Sequence, residues 1–488
     1  MYKFSSPLLL LLIISSELGA QIFPKENSVL NYRIAGFSVP SSPEANKYTL
    51  EIAAGNYNAE DSFEKNIIVT IPSNKSRVAA EVPFFGRVYT WRVIYSNDTR
   101  KVNSNFHHFS TGTIPEVDTN IFRLRVTDNA VKYKDAFVYV ESNKVMYDMS
   151  GRPVWYFPWS GGYIPEDLKI SHSGTFTFLL NGVPYEMSYD GDTVWKAVKK
   201  PSSIQGHFDN CHHEFTKLGN GHYMVLGNKS EDLKQPGSST DDINSIQKIV
   251  VGTIEEYDKD NNLVWWWNSM DYLCEAGIIA KRLTNSSVDV DAHLNSLYFD
   301  ERNKVIYLSF KNAAQIVKIK YPTGKILNIY NGNSPEHVKI EGSVSFCGQH
   351  SIGRSQNKCL YLYNNNTCDS SSFPKIIMMK EPGSKTGDLQ KTWEYECAGN
   401  DTRKKTAREK AKGGKIVELP DESLFVSMGG AYGKLFIISK DKTLLWTAVA
   451  EQWNADKNGW ISPVIYRSSI IADRANMLRL VWGKGLHD

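Results

Sequence analysis

Three histidine segments and one lysine are the parts of this 488-residue chain that could do chemistry: His212-His213-Glu214-Phe215, His293-Leu294-Asn295-Ser296, Gln349-His350, and Lys311. Neutral imidazole attacks as a nucleophile or takes a proton, and protonated imidazole donates to oxygen. Sulfuryl and phosphoryl transfer proceed through loose transition states. They need an in-line nucleophile and stabilisation of the charge on the equatorial oxygens. Three imidazoles and a fixed cation around one small anionic group would suffice for such a transfer without a cofactor.

The elements that must position these residues are strands. From about residue 120 onward a turn followed by an aromatic or aliphatic strand recurs six times. The six are Ser150 to Trp155, Asp190 to Trp195, Asp260 to Trp265, Thr323 to Leu327, Gly387 to Trp393 and Lys440 to Trp446. Short strands repeated at this period predict an all-β fold, a six-bladed β-propeller over 120–488. Each histidine segment falls at or just before the start of a unit, in three successive units. The tail Tyr466 to Ile471 is placed to supply a strand that closes the ring. Because side chains alternate along a strand, one of His212 and His213 is expected to point away from the site. Ahead of the propeller, residues 24–112 carry short alternating runs, among them Tyr48 to Ile52, Asn66 to Thr70, Tyr89 to Tyr95 and Phe106 to Thr111. They predict a small β-sandwich, and the Tyr-x-Trp-x-Val strand at 89–93 resembles fibronectin type III domains.

Residues 1–20 read as a signal peptide: Lys3, an apolar run from Pro7 to Ser15, then small residues before Ala20. The chain is therefore expected to be secreted or periplasmic. That run is too short to span a bilayer, and no later one approaches the needed length. A net charge of +3 with interspersed acids and bases argues against a nucleic-acid partner. All six cysteines lie between 211 and 397, and in an oxidising compartment their even count favours disulfides. Cys359 and Cys368 bracket a turn-forming sequence, Asn364 to Thr367, so that pair is the first expected bridge. Sequons stand at Asn74, Asn97, Asn228, Asn285, Asn365 and Asn400. The one basic cluster, Arg403 to Lys415, is expected to be a solvated loop, with an anion-attracting lip as the sharper alternative.

The stretches 211–228, 293–332 and 346–350, with later echoes at Gly413 to Glu422 and at Tyr466-Arg467, resemble the arylsulfate sulfotransferase family. That resemblance covers the chain from about 120 to its end. It implies a secreted or periplasmic six-bladed propeller that moves sulfate from a phenolic sulfate ester to a phenol through a sulfated histidine. No nucleotide donor, metal or other cofactor is implied. The partners would be a small-molecule donor and a phenol acceptor, and a homodimer is left open. His350 resembles the histidine that becomes sulfated, His293 a second site histidine and His213 a third, with His212 a close competitor. Lys311, His212 and Asn295 are then expected to bind substrate.

The sequence departs from the family's pattern in three places. Lys311 stands where the family has arginine, which keeps the charge and loses the bidentate fork. Glu214 replaces the commoner aspartate. Ser351 follows His350 where aspartate is more frequent, which removes a potential orienting carboxylate. The competing expectation is a catalytically inactive propeller that binds a sulfated or phenolic ligand, or a protein partner. A metal site from Asp289, Asp291 and His293 is a weaker reading, since no third spaced cluster supports it.

Overall fold

The computed structural model describes residues 22–159, 161–198, 208–234, 246–284, 292–332, 344–369, 371–383, 387–397, 406–410 and 412–483. The expected signal segment lies outside them, as do Asn285, Asn400, Asp289 and Asp291. Half the fold is strand and very little is helix. No helix among the described residues is long and apolar enough to cross a membrane. The chain divides into two compact units, residues 1–112 and 113–488.

In the first unit the four sequence-predicted runs all become strand. Lys47–Ala54, Ile67–Ser73, Val88–Ser96, Lys101–Asn103, His107–Thr111 and the parallel edge Ser28–Leu30 form a six-stranded sheet. Ile34–Ser38 pairs with Arg77–Glu81. The alternation in Lys47–Ala54 puts Tyr48, Leu50 and Ile52 inside. Phe37 of the smaller sheet meets Trp91 and Phe109 of the larger edge-on, with centroids 5.2 and 5.7 Å apart. His107 and His108 stay in this unit, beside Glu26.

The second unit is a series of five four-stranded antiparallel sheets and one six-stranded sheet in chain order, a β-propeller-like arrangement. The closing runs legible in the sequence are their last strands: Pro153–Tyr156, Thr193–Lys196, Leu263–Asn268, Ile326–Asn331, Gln390–Glu396 and Leu444–Asn454. The turns ahead of these strands need left-handed backbone, supplied for example by Gly151, whose hypothetical Cβ would lie 2.2 Å from the Leu124 carbonyl oxygen. Tryptophans on the closing strands tie one sheet to the next. The indole of Trp155 donates to Tyr189, that of Trp267 to Gly324, and that of Trp393 to Lys440. Trp265 and Trp267 share one face, while Trp266 between them is partly exposed.

The first strands are Glu166–Ile170, Asn210–Lys217, Leu294–Asp300, His350–Arg354 and Lys415–Glu418. The C-terminal Ser468–Ile471 joins them by pairing with Phe137–Val140 of the first sheet. These six strands touch one another in cyclic order, and apolar cores fill the spaces between successive sheets. The tail thus closes the ring as expected. Trp446 makes the same closure at the periphery, where it is fully buried and donates to the Met149 carbonyl at 2.9 Å.

Two expectations fail for physical reasons. The disulfide joins Cys347 to Cys368 with Cα atoms 6.2 Å apart, and Cys359 is a free thiol. The strand Leu360–Asn364 separates Cys359 from the turn that holds Cys368. Five extended residues carry the chain roughly 17 Å, well beyond bridging distance. The sequon asparagine Asn365 is fully buried and gives both amide hydrogens to backbone carbonyls, so it cannot carry a glycan.

Because Trp446 is both ring contact and core, Trp446→Ala should cost about 3–5 kcal/mol. Denaturant unfolding followed by fluorescence should show a lowered midpoint with an unchanged m-value.

Candidate active site

The histidines converge because the first strands do not start as ideal strands. In four successive sheets one residue near the start adopts left-handed backbone: Asp167 (φ 56°), His213 (φ 67°), His293 (φ 52°) and Ser351 (φ 55°). At each place the pairing register slips, between 166 and 169, 211 and 215, 294 and 296, and 350 and 353. Such bulges re-aim side chains. Holding a non-glycine residue in this region costs on the order of 1–3 kcal/mol, a strain that clusters at functional sites.

The bulge also cancels the expected alternation at 212 and 213. Both rings approach His293, His212 parallel to it at 6.1 Å and His213 edge-on at 5.3 Å. His213 Nε2 is 3.3 Å from His293 Nε2. His350, almost fully buried, stands 6.5 Å from His213 and 6.2 Å from Tyr466, ring to ring. Tyr466 stacks on His213 and its hydroxyl is 2.5 Å from Nδ1. Burial raises the Tyr466 pKa well above the usual phenol range, so this hydroxyl keeps its proton.

Lys311 follows the strand Val305–Phe310, and its backbone N–H donates to the His293 carbonyl at 3.0 Å. The charge of its side chain is felt at His350. Burial first, then Lys311 and Arg467, push the His350 pKa down to about 3, against an opposing hydrogen bond with Asn365. Burial, reinforced by His212 and Arg467, likewise holds His213 well below the usual imidazole range. Both imidazoles are neutral at ordinary pH. Asn295 sits differently from the expectation. It is fully buried, and its amide donates to the Gln349 carbonyl at 2.7 Å, a strut between two first strands. Gln349 in turn donates to the Phe310 carbonyl, next to Lys311. Ser351 does not touch His350, because its hydroxyl accepts the Ile416 backbone N–H at 3.0 Å.

Beneath the imidazoles lies a buried charge network that sequence reasoning missed. Arg467 donates to Asp167 at 3.1 Å and to Glu214 at 3.0 Å, as well as to the carbonyls of His213 and Asn295. Lys169 pairs with the same two carboxylates at 2.6 and 2.8 Å, and Lys415 reaches Asp167 at 3.1 Å. Glu141 accepts the backbone N–H groups of Asp167 and Arg467. Burial would raise the Glu214 pKa, but Lys169, Lys415 and Arg467 hold it low. The same carboxylates keep Arg467 charged against burial.

So Glu214 of the histidine motif anchors the floor and does not face the site. The described part of the basic cluster is solvated only in part, with Lys412 exposed. Lys415 belongs to the floor, and Lys410 is buried with its ammonium on the carbonyls of Asn366, Asp369 and Ser372. The signals for Arg467 were the family echo at Tyr466-Arg467 and its position just ahead of the ring-closing strand, as His212-His213 opens another.

Removing Arg467 would leave two buried carboxylates short of a partner. Arg467→Met should therefore destabilise the fold by about 3–5 kcal/mol, measured by denaturant titration.

A family model described as Arylsulfotransferase (ASST) matches residues 123–395, a span that includes His212, His213, His293, Asn295, Lys311 and His350. No curated protein matches at a significant level. Solved structures with similarity include a protein of unknown function from Bacteroides caccae, at 11% identity and TM-score 0.40, covering 72% of this chain and 99% of that one. The periplasmic gluconolactonase PpgL of Pseudomonas aeruginosa matches at 10% identity and TM-score 0.37, with the same coverages. The β-propeller domain of Myceliophteria thermophila Cps50 (Swd1) matches at 10% identity and TM-score 0.32, covering 66% of this chain and 88% of that one.

Proposed function

The chain belongs to the arylsulfotransferase family, and on that premise we propose that it moves a sulfuryl group from a phenolic sulfate ester to a phenol through a sulfated His350. In this reading the six sheets of residues 120–488 are the blades of a six-bladed propeller, and residues 24–112 are a fibronectin type III-like sandwich. Residues 1–20 direct the chain to an extracellular or periplasmic space, where the Cys347–Cys368 disulfide would persist.

The observation that carries the reading is the meeting of a neutral, buried His350 with His213, His293 and the Lys311 charge at one end of the ring. A ring nitrogen of His350 attacks the sulfur of the donor. An N–S bond forms as the S–O bond to the phenol breaks, with the electron pair leaving on the phenolate oxygen. His293 acts as the general acid that gives that oxygen a proton. Lys311 and His213 stabilise the sulfonate oxygens as charge develops. In the second half-reaction the acceptor phenol returns a proton to His293 and attacks sulfur. The N–S bond breaks and neutral His350 is restored, so the cycle is balanced in protons. Tyr466 holds the His213 ring by stacking and by its hydroxyl, and the Arg467 floor holds both bulges. Asn295 is read here as a strut for the site and Lys311 as its sulfate-binding cation, with His212 stacked behind His293.

The deciding experiment follows nitrophenol release from 4-nitrophenyl sulfate with and without added phenol. Phenol should stimulate release by the wild type, and His350→Ala should lower it by on the order of 10³-fold or more. Release without phenol dependence would indicate hydrolysis. No release from a folded chain that still binds the ester would leave a binding protein. Lys311→Ala should lower kcat by roughly 10²-fold, and Lys311→Arg should retain activity.

The pH dependence follows from the depressed His350 pKa of about 3. Protonation would remove the attacking lone pair, so loss comes on the acid side. His350 itself should therefore impose no limit on the nitrophenol burst from about pH 8 down to about pH 5, a decline appearing only as its pKa is approached. An acid limb near the ordinary histidine value that tracks His350 would contradict this.

A further inference from the structure

We infer that Asn365 is the positioning residue that makes Nε2 the attacking atom of His350. The inference rests on the reading of His350 as nucleophile and adds the group that selects its reactive nitrogen. His350 Nδ1 lies 2.7 Å from the Asn365 side-chain oxygen and 3.1 Å from the Gly348 carbonyl oxygen. Both neighbours are oxygens, so Nδ1 is the nitrogen that carries hydrogen.

The identity of the Asn365 oxygen is itself fixed. The amide nitrogen on its other side donates to the Lys410 carbonyl at 2.6 Å and to the Gly413 carbonyl at 3.0 Å. Rotating the amide by half a turn would set its oxygen against two carbonyl oxygens and leave both without a donor, which is costly for a fully buried group. A neutral imidazole has one hydrogen. With that hydrogen on Nδ1, the lone pair sits on Nε2. Sulfuration at Nε2 then leaves the Nδ1–H bond to Asn365 in place, and the positive charge that develops on the ring strengthens it.

The residues on either side of Asn365 are clamped, as this role requires. The Cys347 N–H donates to the Asn364 side chain at 3.0 Å and the Asn366 N–H to the Cys347 carbonyl at 3.1 Å. The Cys347–Cys368 disulfide closes the same turn, and Lys410 grips it from the neighbouring segment through three carbonyls. The carbonyls of Lys410 and Gly413 therefore hold one amide group against one imidazole.

The test combines a tautomer measurement with kinetics on the mature full-length chain. Nitrogen-15 histidine NMR at neutral pH, with His350→Ala to identify the resonances, should show His350 bearing hydrogen on Nδ1 and none on Nε2. Asn365→Leu should lose that preference and slow the nitrophenol burst by roughly 10²-fold, with 4-nitrophenyl sulfate affinity held within about threefold. Asn365→Asp still accepts from Nδ1–H. It should recover at least about a tenth of the burst rate and move the acid limb upward by about one pH unit or more, because a carboxylate favours the imidazolium.

A His350 found with its hydrogen on Nε2 overturns the inference. So does a folded Asn365→Leu with wild-type burst rate and unchanged tautomer. If that variant does not fold, the wild-type spectrum and the aspartate variant decide the matter. A wild type that never forms a sulfated intermediate defeats the functional reading alone, and the spectrum still settles what Asn365 does.

Discussion

The site stands on the Arg467 guanidinium. One buried cation contacts Asp167 and Glu214 and also the backbone carbonyls of His213 and Asn295, so four first strands meet through a single side chain. Desolvating such a group is expensive and is offset only when every partner is present. Lys169, Lys415 and Glu141 complete the set. This constraint explains why strained backbone persists above it. The left-handed residues His213 and His293 need their surroundings to over-determine them, and Arg467 bonds the carbonyl of the first while Lys311 N–H bonds that of the second.

The floor also sets the electrostatics of what lies above. Arg467 depresses the pKa values of His213 and His350, which burial has already lowered, and Lys311 adds to the effect at His350. A permanent positive field keeps His350 and His213 unprotonated and, in the proposed transfer, would favour anionic sulfate oxygens, so one arrangement would serve binding and reactivity. The cost appears as buried charge and bent strands, and the tryptophan-linked cores between sheets offset it.

Much of this was legible in the sequence, for reasons that can be traced to particular residues. The closing strands announce themselves because a turn with left-handed backbone followed by Val-Trp is a local pattern, and the tail strand could be placed by the same logic. His213, His293, His350 and Lys311 were found because their order and spacing resemble a family motif. What stayed hidden is non-local. Asn365 looked like part of a turn and a sequon, since nothing nearby in sequence shows that carbonyls 45 and 48 residues later take its hydrogens. Cys359 and Cys368 looked adjacent because the strand between them was not recognised. The His212-His213 alternation failed because a bulge breaks the two-residue period without a distinctive residue to mark it.

The departures from the family's pattern look different once the contacts are known. Loss of a carboxylate at Ser351 removes nothing from His350, because the ring is oriented from Asn365 on the next strand and Ser351 is occupied with Ile416. Glu214 in place of aspartate falls in the floor, where two lysines and Arg467 surround it and an extra methylene changes reach more than charge. Lys311 is the departure that touches chemistry. An ammonium stabilises sulfonate oxygens as a point charge, whereas a guanidinium fixes their orientation as well. With His213 held by Tyr466 and His350 held by Asn365, the orientation that arginine would provide is supplied from other parts of the ring. The cation at 311 is left with the one task lysine performs equally well, neutralising charge as it gathers on the transferring group.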